Sequence, residues 1–245
     1  VQLALEKKAK QSSPRDKAII RDVMERLSEE TGGAKRSYDQ PSKGVLWGWE
    51  VSTYIWTKGI AAGTYVVAIL AMLSGLVEMS DGLWAMTLGI GIVFLAITGL
   101  LLVIDLDRPE RFLYVMLRPN WDSWLVKGAY ILSGYGGVLA LSAGVLILDL
   151  DRSFLTYLAI AGLPLALLTG VYTAWLLMQA KGRSWSEDSL LPAKFLVETV
   201  AIGAAVFFPL SLMKPLAFVL GGMVLVGILA HDKKLVMEPQ MEPLL

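Results

Sequence analysis

Long apolar runs separated by short polar segments dominate the sequence from residue 47 onward. Most of these runs approach or exceed the ~20 residues that a helix needs to cross a hydrocarbon core about 30 Å thick. The pattern therefore predicts an all-α integral membrane protein with about six transmembrane helices. The sixth run is the shortest, and from its length a full crossing is left open. The predicted spans are Ile55–Val77, Leu83–Ile104, Leu125–Leu148, Phe154–Met178, Phe195–Leu212 and Leu216–Ala230.

Composition supports the membrane class and limits the chemistry of this protein. Hydrophobic residues make up 55% of the sequence, and the mean hydropathy is +0.58. The absence of cysteine excludes an iron–sulfur cluster, a disulfide or a covalently attached haem in this chain. A transmembrane b-type haem usually takes two axial histidines, whereas the sequence holds only His231. We therefore expect no haem or metal here, and no nucleic-acid partner.

Positive charge is distributed very unevenly between the two predicted sides of the membrane. The net charge is zero, with 22 basic and 22 acidic residues. Nineteen of the basic residues fall on the side that holds both termini, Lys58 lies inside the first span, and only Arg152 and Lys214 fall on the other side. Since cytoplasmic loops carry excess Lys and Arg, this bias predicts a cell-membrane protein with both termini in the cytoplasm. It also favours an even number of spans.

Three regions follow from this pattern. Residues 1–46 form a polar cytoplasmic extension, residues 47–230 the transmembrane bundle, and residues 231–245 a cytoplasmic tail. In the extension, Ser13-Pro14 is a typical helix start and Thr31-Gly32-Gly33 a typical stop. The amphipathic helix between them would lie on the membrane surface or dock a soluble partner subunit. Its apolar positions are Ile19, Ile20, Val23, Met24 and Leu27.

Ionisable residues cluster at one depth, near the basic side of the predicted bundle. Charges within spans are costly and usually face the bundle interior or water. Glu50, Tyr54 and Lys58 are spaced by four and so share one helical face. Either the acids and lysines form a purely structural pairing, or they serve a proton-and-quinone site, because quinone chemistry needs proton donors and acceptors. The proton-exchange candidates are Lys58, Asp105, Asp107 and Glu198.

Residues on the opposite side have simpler interpretations. The acids around Asp81 and Asp149, together with Arg152, are predicted to terminate helices rather than to perform chemistry. Gly59 and Gly63 form a Gly-x-x-x-Gly unit, which is typical of close packing between membrane helices. No nucleotide-binding glycine motif is present in the sequence.

Three segments together resemble the NrfD/polysulfide-reductase family of membrane subunits. The first is Trp47-Gly48-Trp49-Glu50 with the Gly-rich stretch that ends at Gly63. The second and most specific is the polar loop from Asp105 to Gly128, which contains Asp-Leu-Asp-Arg-Pro-Glu-Arg-Phe and Arg-Pro-Asn-Trp-Asp-Ser-Trp. The third runs from Gly170 to Ala180 and continues to Pro192. Together they cover roughly residues 46–196.

The resemblance implies a haem-free subunit with a four-helix bundle that anchors an iron–sulfur, ferredoxin-like protein. That protein usually serves a molybdenum or tungsten catalytic subunit, and electrons pass to or from menaquinone or ubiquinone. Leu168 stands where polysulfide reductase has a quinone-binding tyrosine, and Tyr172, one turn further on, is the expected substitute. The quinone-binding candidates are Glu50, Tyr54, Trp121, Trp124 and Tyr172, and the partner-docking candidates are Arg108, Arg111, Arg118 and Asn120.

Two other functions fit parts of the sequence. Charged residues within spans and glycine-interrupted helices also suit a secondary transporter or an ion channel. Against that interpretation, the charges stay near one face instead of lying at the bilayer midplane between two repeats. A membrane anchor without quinone chemistry is the second alternative.

Overall fold

The computed structural model describes residues 48–104, 116–180 and 184–241, and these ranges contain six long helices and one turn of 3₁₀-helix. No strand occurs within those ranges. All six helices are long and apolar enough to cross a membrane, which confirms the predicted all-α membrane fold. The helices are α1 Trp49–Leu73, α2 Asp81–Ile104, α3 Trp124–Ile147, α4 Ser153–Met178, α5 Leu191–Leu212 and α6 Pro215–Met241, and the 3₁₀ turn is Ser184–Ser186.

Helix α1 is the centre of the bundle. In its most apolar stretch 83% of the residues are buried, against 11–39% in the other five helices. It packs against α2, α4, α5 and α6, and side-chain hydrogen bonds fasten it to several of its neighbours. The outer helices turn large apolar side chains outward, as lipid contact requires. The hydrogen bonds join Thr57 to Thr98 on α2, the Tyr135 hydroxyl on α3 to the Ala61 carbonyl, and the Trp56 indole N–H to the Leu225 carbonyl on α6.

Helices α1 and α5 approach each other until their backbones touch. A Cβ atom added at Gly63 would collide with the backbone of Thr199 and Gly203, and one added at Gly203 would collide with the backbone of Gly63. At Gly59 the neighbour is instead the side chain of Ile202. Small residues allow this approach, and it brings the polar groups of the two helices into one layer. The predicted packing role of Gly59 and Gly63 is therefore confirmed.

Charged residues join helices at the end of the bundle where α1 ends and α2 begins. The Arg152 guanidinium donates from Nε and Nη2 to the two carboxylate oxygens of Asp81, at 3.0 and 3.1 Å, and from Nη2 to Asp149 at 2.9 Å. Asp151 accepts the Ser153 backbone N–H, and this hydrogen bond lowers the pKa of its carboxyl. These residues join and end helices, as their positions in the sequence predict.

Helix α6 extends beyond the predicted sixth span. The hydropathy pattern predicts an end at Ala230 and a tail from His231, whereas the helix is continuous to Met241. The hydropathy pattern did not predict the last turns of α6, because the polar residues that begin at His231 are typical of a loop. Within the helix, however, His231 and Lys233 are exposed while Asp232 is buried, so one turn carries both solvent-facing and core-facing polar groups.

Candidate functional site

A buried lysine lies at the centre of the candidate site. Lys58 on α1 is only 1% exposed, and its ammonium group donates a hydrogen bond to the hydroxyl of Thr173 on α4. The same ammonium lies 4.8 Å from the ring centroid of Tyr172 and 5.3 Å from that of Phe195. A cation removed from water needs such partners, and aromatic faces attract it through their quadrupoles.

Two carboxyl groups complete the charge of this layer. Glu198 on α5 and Asp232 on α6 both interact electrostatically with Lys58. They also interact with each other, and Asp232 is fully buried while Glu198 is half-buried. The layer therefore brings together one cation and two acids from three helices that are distant in sequence.

The layer lies inside the bundle but near the end where α1 begins and α6 ends. Lys58 is nine residues from the start of α1, and Asp232 is nine from the end of α6. Glu198 is seven residues from the start of α5, and Tyr172 is six from the end of α4. With a rise of about 1.5 Å per residue, all four lie roughly 9–14 Å from that end. The sequence prediction of a common depth for Lys58 and Glu198 agrees with these positions.

Several polar atoms of the layer keep unused hydrogen-bonding capacity. No hydrogen bond of good geometry is found among the described residues for the Tyr172 hydroxyl, for Oε1 of Glu198 or for either carboxylate oxygen of Asp232, although Tyr172 lies near the Thr173 hydroxyl and Asp232 near the Glu198 carboxyl. Most buried polar atoms in proteins are paired, because an unpaired one costs about 1–3 kcal/mol. A concentration of unpaired groups around one lysine is the arrangement expected where a polar ligand or a proton binds.

The structure places two further predicted residues on the same side of α1. Tyr54, one turn before Lys58, is buried in an apolar cluster that also contains Tyr172, Phe195 and Val236. Glu50, one more turn toward the helix start, is half-buried. Leu168 is 39% exposed, whereas Tyr172 is fully buried beside Lys58, which agrees with Tyr172 as the inward-facing tyrosine of α4. The remaining predicted residues of the polar loop, Asp105, Asp107, Arg108 and Arg111, lie outside the described residues.

The two predicted tryptophans lie at the junction between the polar loop and α3. The Trp124 ring stacks on Trp175 of α4, with centroids 4.6 Å apart, and packs against the cluster that contains Tyr54. The Lys127 ammonium lies 4.5 Å from the centroid of the Trp124 ring. Trp121 is instead 55% exposed and contacts Tyr130. The two tryptophans therefore occupy different surroundings, and only Trp124 contacts the apolar cluster of the candidate site.

Two polar side chains shape this junction. The Asn120 side chain accepts the Asp122 backbone N–H at 3.2 Å, which is a turn-forming hydrogen bond. Gln179 at the end of α4 accepts the Trp124 N–H at 3.0 Å and donates to the Asp122 carbonyl at 2.9 Å. Arg118 and Asn120 are exposed on the side of the bundle where α1 begins and α6 ends.

Sequence reasoning missed Asp232, Thr173 and Phe195. Asp232 carried a usable signal, because it lies four residues before Val236 and both are fully buried on one face of α6. Following the helical period past Ala230 would have found it. Thr173 and Phe195 gave no comparable signal, since nothing in a sequence distinguishes a threonine or phenylalanine that faces a buried lysine from one that faces lipid.

The fold and the site together define an integral membrane protein whose described residues contain six membrane-length helices and a buried, charge-bearing layer near one end. The protein belongs to the family described as polysulphide reductase, NrfD, whose model matches residues 39–217. That range contains Lys58, Tyr172 and Glu198, whereas Asp232 lies beyond it.

Two curated proteins are similar to this one. It is 27% identical over 187 residues to Protein NrfD of Escherichia coli K12, and the match covers 66% of this sequence and 58% of the relative. It is 24% identical over 184 residues to the C subunit of polysulfide reductase from Wolinella succinogenes, and the match covers 65% of this sequence and 56% of the relative. The protein thus spans somewhat under three fifths of the length of each relative.

Proposed function

We propose that this protein is the haem-free membrane subunit of a multisubunit oxidoreductase, and that it exchanges electrons between a partner iron–sulfur protein and a membrane quinone. Membership of the polysulphide reductase, NrfD family supports the role of a membrane subunit. The observation that carries the quinone site is the buried layer around Lys58, where the Tyr172 hydroxyl has no hydrogen-bond partner among the described residues.

The residues of the layer fit a quinone headgroup. A bound quinone supplies two-electron chemistry in which two protons are taken up on reduction or released on oxidation. The Tyr172 hydroxyl can donate a hydrogen bond to a carbonyl oxygen, and Tyr54 lies in the same cluster. Glu198 and Asp232 accept and donate protons a short distance away, and Phe195 contributes an apolar wall. Asp105 and Asp107 are proposed to connect this layer to the cytoplasmic side.

Electrons must reach the site from another subunit. The sequence contains no cysteine that could bind an iron–sulfur cluster. We therefore propose an iron–sulfur, ferredoxin-like partner, and behind it a molybdenum or tungsten catalytic subunit. Arg108, Arg111, Arg118 and Asn120 would dock that partner on the cytoplasmic side, assisted by the amphipathic extension of residues 1–46.

The position of the charged layer also argues against the transporter alternative. Substrate sites of secondary transporters typically lie near the bilayer midplane between repeats. Here the charged groups lie roughly 9–14 Å from one end of helices that contain 22–27 residues, which places them off centre. A pure anchor would have no use for unpaired hydrogen-bonding groups next to a buried lysine.

The decisive experiment combines assembly with quinone binding. The protein, with an affinity tag after Leu245, is purified from its native membrane in mild detergent. We expect an iron–sulfur protein to co-purify and quinone to be extracted from the complex in near-stoichiometric amount. A photoreactive quinone should label residues near Tyr54 or Tyr172, and excess native quinone should suppress that labelling. If the complex contains no quinone and the labelling is not suppressed by native quinone, the protein is a membrane anchor without quinone chemistry. If the isolated protein catalyses ion flux in proteoliposomes, the transporter alternative is favoured.

A further inference from the structure

The contact between α5 and α6 places two acids beside one lysine in the interior of the bundle. Asp232 is fully buried, and its carboxyl lies within hydrogen-bonding reach of the Glu198 carboxyl, yet two ionised carboxylates are both acceptors and cannot bond to each other. Lys58 interacts with both acids, but its ammonium group donates its hydrogen bond to Thr173. The acids are therefore balanced by the charge of Lys58 without being fixed in a direct ion pair of standard geometry.

The charged and titratable groups that face this pair can be named helix by helix within the described residues. Helix α1 contributes Lys58 and, one turn away, Tyr54; helix α4 contributes Tyr172. On α6 itself, His231, Lys233, Lys234 and Glu238 are exposed. On α5, Lys194 lies one turn before Glu198, is also exposed and pairs with Asp188. Lys58 is thus the one positive group in the described part of the protein that interacts with both acids.

The net charge of Lys58, Glu198 and Asp232 determines whether this cluster binds a proton. If Lys58 and both acids were ionised, one negative charge would remain uncompensated in an apolar interior, which is a strongly unfavourable state. Two neighbouring carboxyl groups avoid it when they share one proton, as paired carboxyls do at other buried sites. We propose that Glu198 and Asp232 form a binding site for one exchangeable proton, held next to the ammonium group of Lys58.

The proposal adds Asp232 to the candidate site and sets the number of protons bound there at one. Asp232 lies outside the sequence range matched by the family model and on the last helix, near the basic end from which protons would enter. A role of Asp232 in quinone chemistry rests on the proposed function above. The presence of the bound proton does not rest on it, because it follows from Lys58, Glu198 and Asp232 alone and can be observed without quinone or partner.

Infrared spectroscopy tests the site in the full-length protein, purified in detergent without added quinone. At neutral pH the wild type should show the carbonyl-stretch band of a protonated carboxylic acid, and the band should shift in D₂O. Glu198→Gln and Asp232→Asn should each abolish it, because the single remaining acid is then balanced by Lys58. Lys58→Met should increase the band about twofold, since both acids must then be neutral. The matched control is Asp188→Asn, which removes a surface carboxylate paired with Lys194 at 2.6 Å and should leave the band unchanged.

Each outcome of this experiment decides between the alternatives. A wild-type spectrum without the band overturns the proposal, and this result requires no variant to fold. A band that persists at full intensity in both Glu198→Gln and Asp232→Asn assigns the proton to another group and also overturns it. If the spectra agree with the proposal while the complex lacks quinone, the proton site stands and the proposed quinone function fails.

Discussion

The Lys58 ammonium group on α1 is hydrogen bonded to the Thr173 hydroxyl on α4, and both side chains are buried. Since lysine carries three N–H donors, this bond leaves capacity for a further acceptor. The adjacent Tyr172 ring holds the ammonium from another direction. The lysine is thereby held in position by groups that are not acids, while Glu198 and Asp232 both interact electrostatically with it.

Loss of the buried cation should destabilise the bundle. Lys58→Met keeps most of the side-chain volume but leaves Glu198 and Asp232 without a positive neighbour. Removing one partner from a buried charged group typically costs about 3–5 kcal/mol. We expect a clearly lower melting temperature of the purified protein in detergent, and a larger loss at alkaline than at acidic pH, because acid conditions allow both carboxyls to take up protons.

The control for this variant is Lys194→Met. Lys194 pairs with Asp188 at the start of α5, where both side chains are accessible, and the nearby ammonium lowers the pKa of Asp188. Exposed ion pairs contribute little to stability. This variant should therefore melt close to the wild type. Equal melting temperatures of Lys58→Met and Lys194→Met would show that the buried layer is not maintained by its charge.

The contact between Gly63 and Gly203 predicts that adding a single methyl group at Gly63 lowers the stability of the bundle. In Gly63→Ala the new Cβ would meet the backbone of Thr199 and Gly203, which cannot move aside as a flexible side chain would. Overpacking of this kind typically costs about 1–3 kcal/mol. Gly89→Ala on α2 is the matched control, because no atom lies within 4 Å of the added Cβ. Thermal unfolding in detergent should separate the two variants, and equal stability would contradict the close helix crossing.

Quinone turnover should depend on the inward-facing tyrosines. Tyr172→Phe and Tyr54→Phe each remove a hydroxyl with little change in volume. If the hydroxyl acts as an acid or base, the turnover of quinone by the assembled complex should fall about 10²-fold, while activity toward soluble dyes is retained. Tyr157→Phe is the control, since Tyr157 is 70% exposed near the other end of α4. Full quinone turnover in both inward variants would move the site elsewhere.

Topology can be tested with reporters fused after Leu245. If all six described helices cross the membrane, the start of α1 and the end of α6 lie on the same side, and the excess of basic residues predicts that this side is the cytoplasm. A fluorescent reporter at this position should therefore be active, whereas an alkaline phosphatase reporter should be inactive there. Phosphatase activity after Leu245, together with inactivity after Gly75, would reverse the orientation and place the electron-transfer partner outside the cell.

The number and order of the helices were predictable because each run of apolar residues had to be long enough to cross a membrane. Depth was also predictable for Lys58 and Glu198, since it follows from distance to the helix ends. The rotation of each helix about its own axis was not predictable, because lipid and protein interior are equally apolar and favour similar residues on all sides of a helix. That Asp232 faces Glu198, and that Trp121 and Trp124 differ in environment, depends on helix rotations that only the packed bundle reveals.

The central position of α1 has a consequence for how the protein is made. This helix leaves the ribosome first among the six, yet its most apolar stretch has the lowest mean hydropathy of them, 1.5 against 1.7–2.6. The residues that balance Lys58 lie on α5 and α6, which are synthesised last of the six. Until those helices arrive, the membrane must hold a helix whose lysine has neither of these carboxylates near it. The surroundings of Lys58 on the first helix are therefore complete only when the sixth helix has packed. A protein truncated before Asp232 would retain five complete spans, but its buried lysine would lack one of the two neighbouring carboxyl groups.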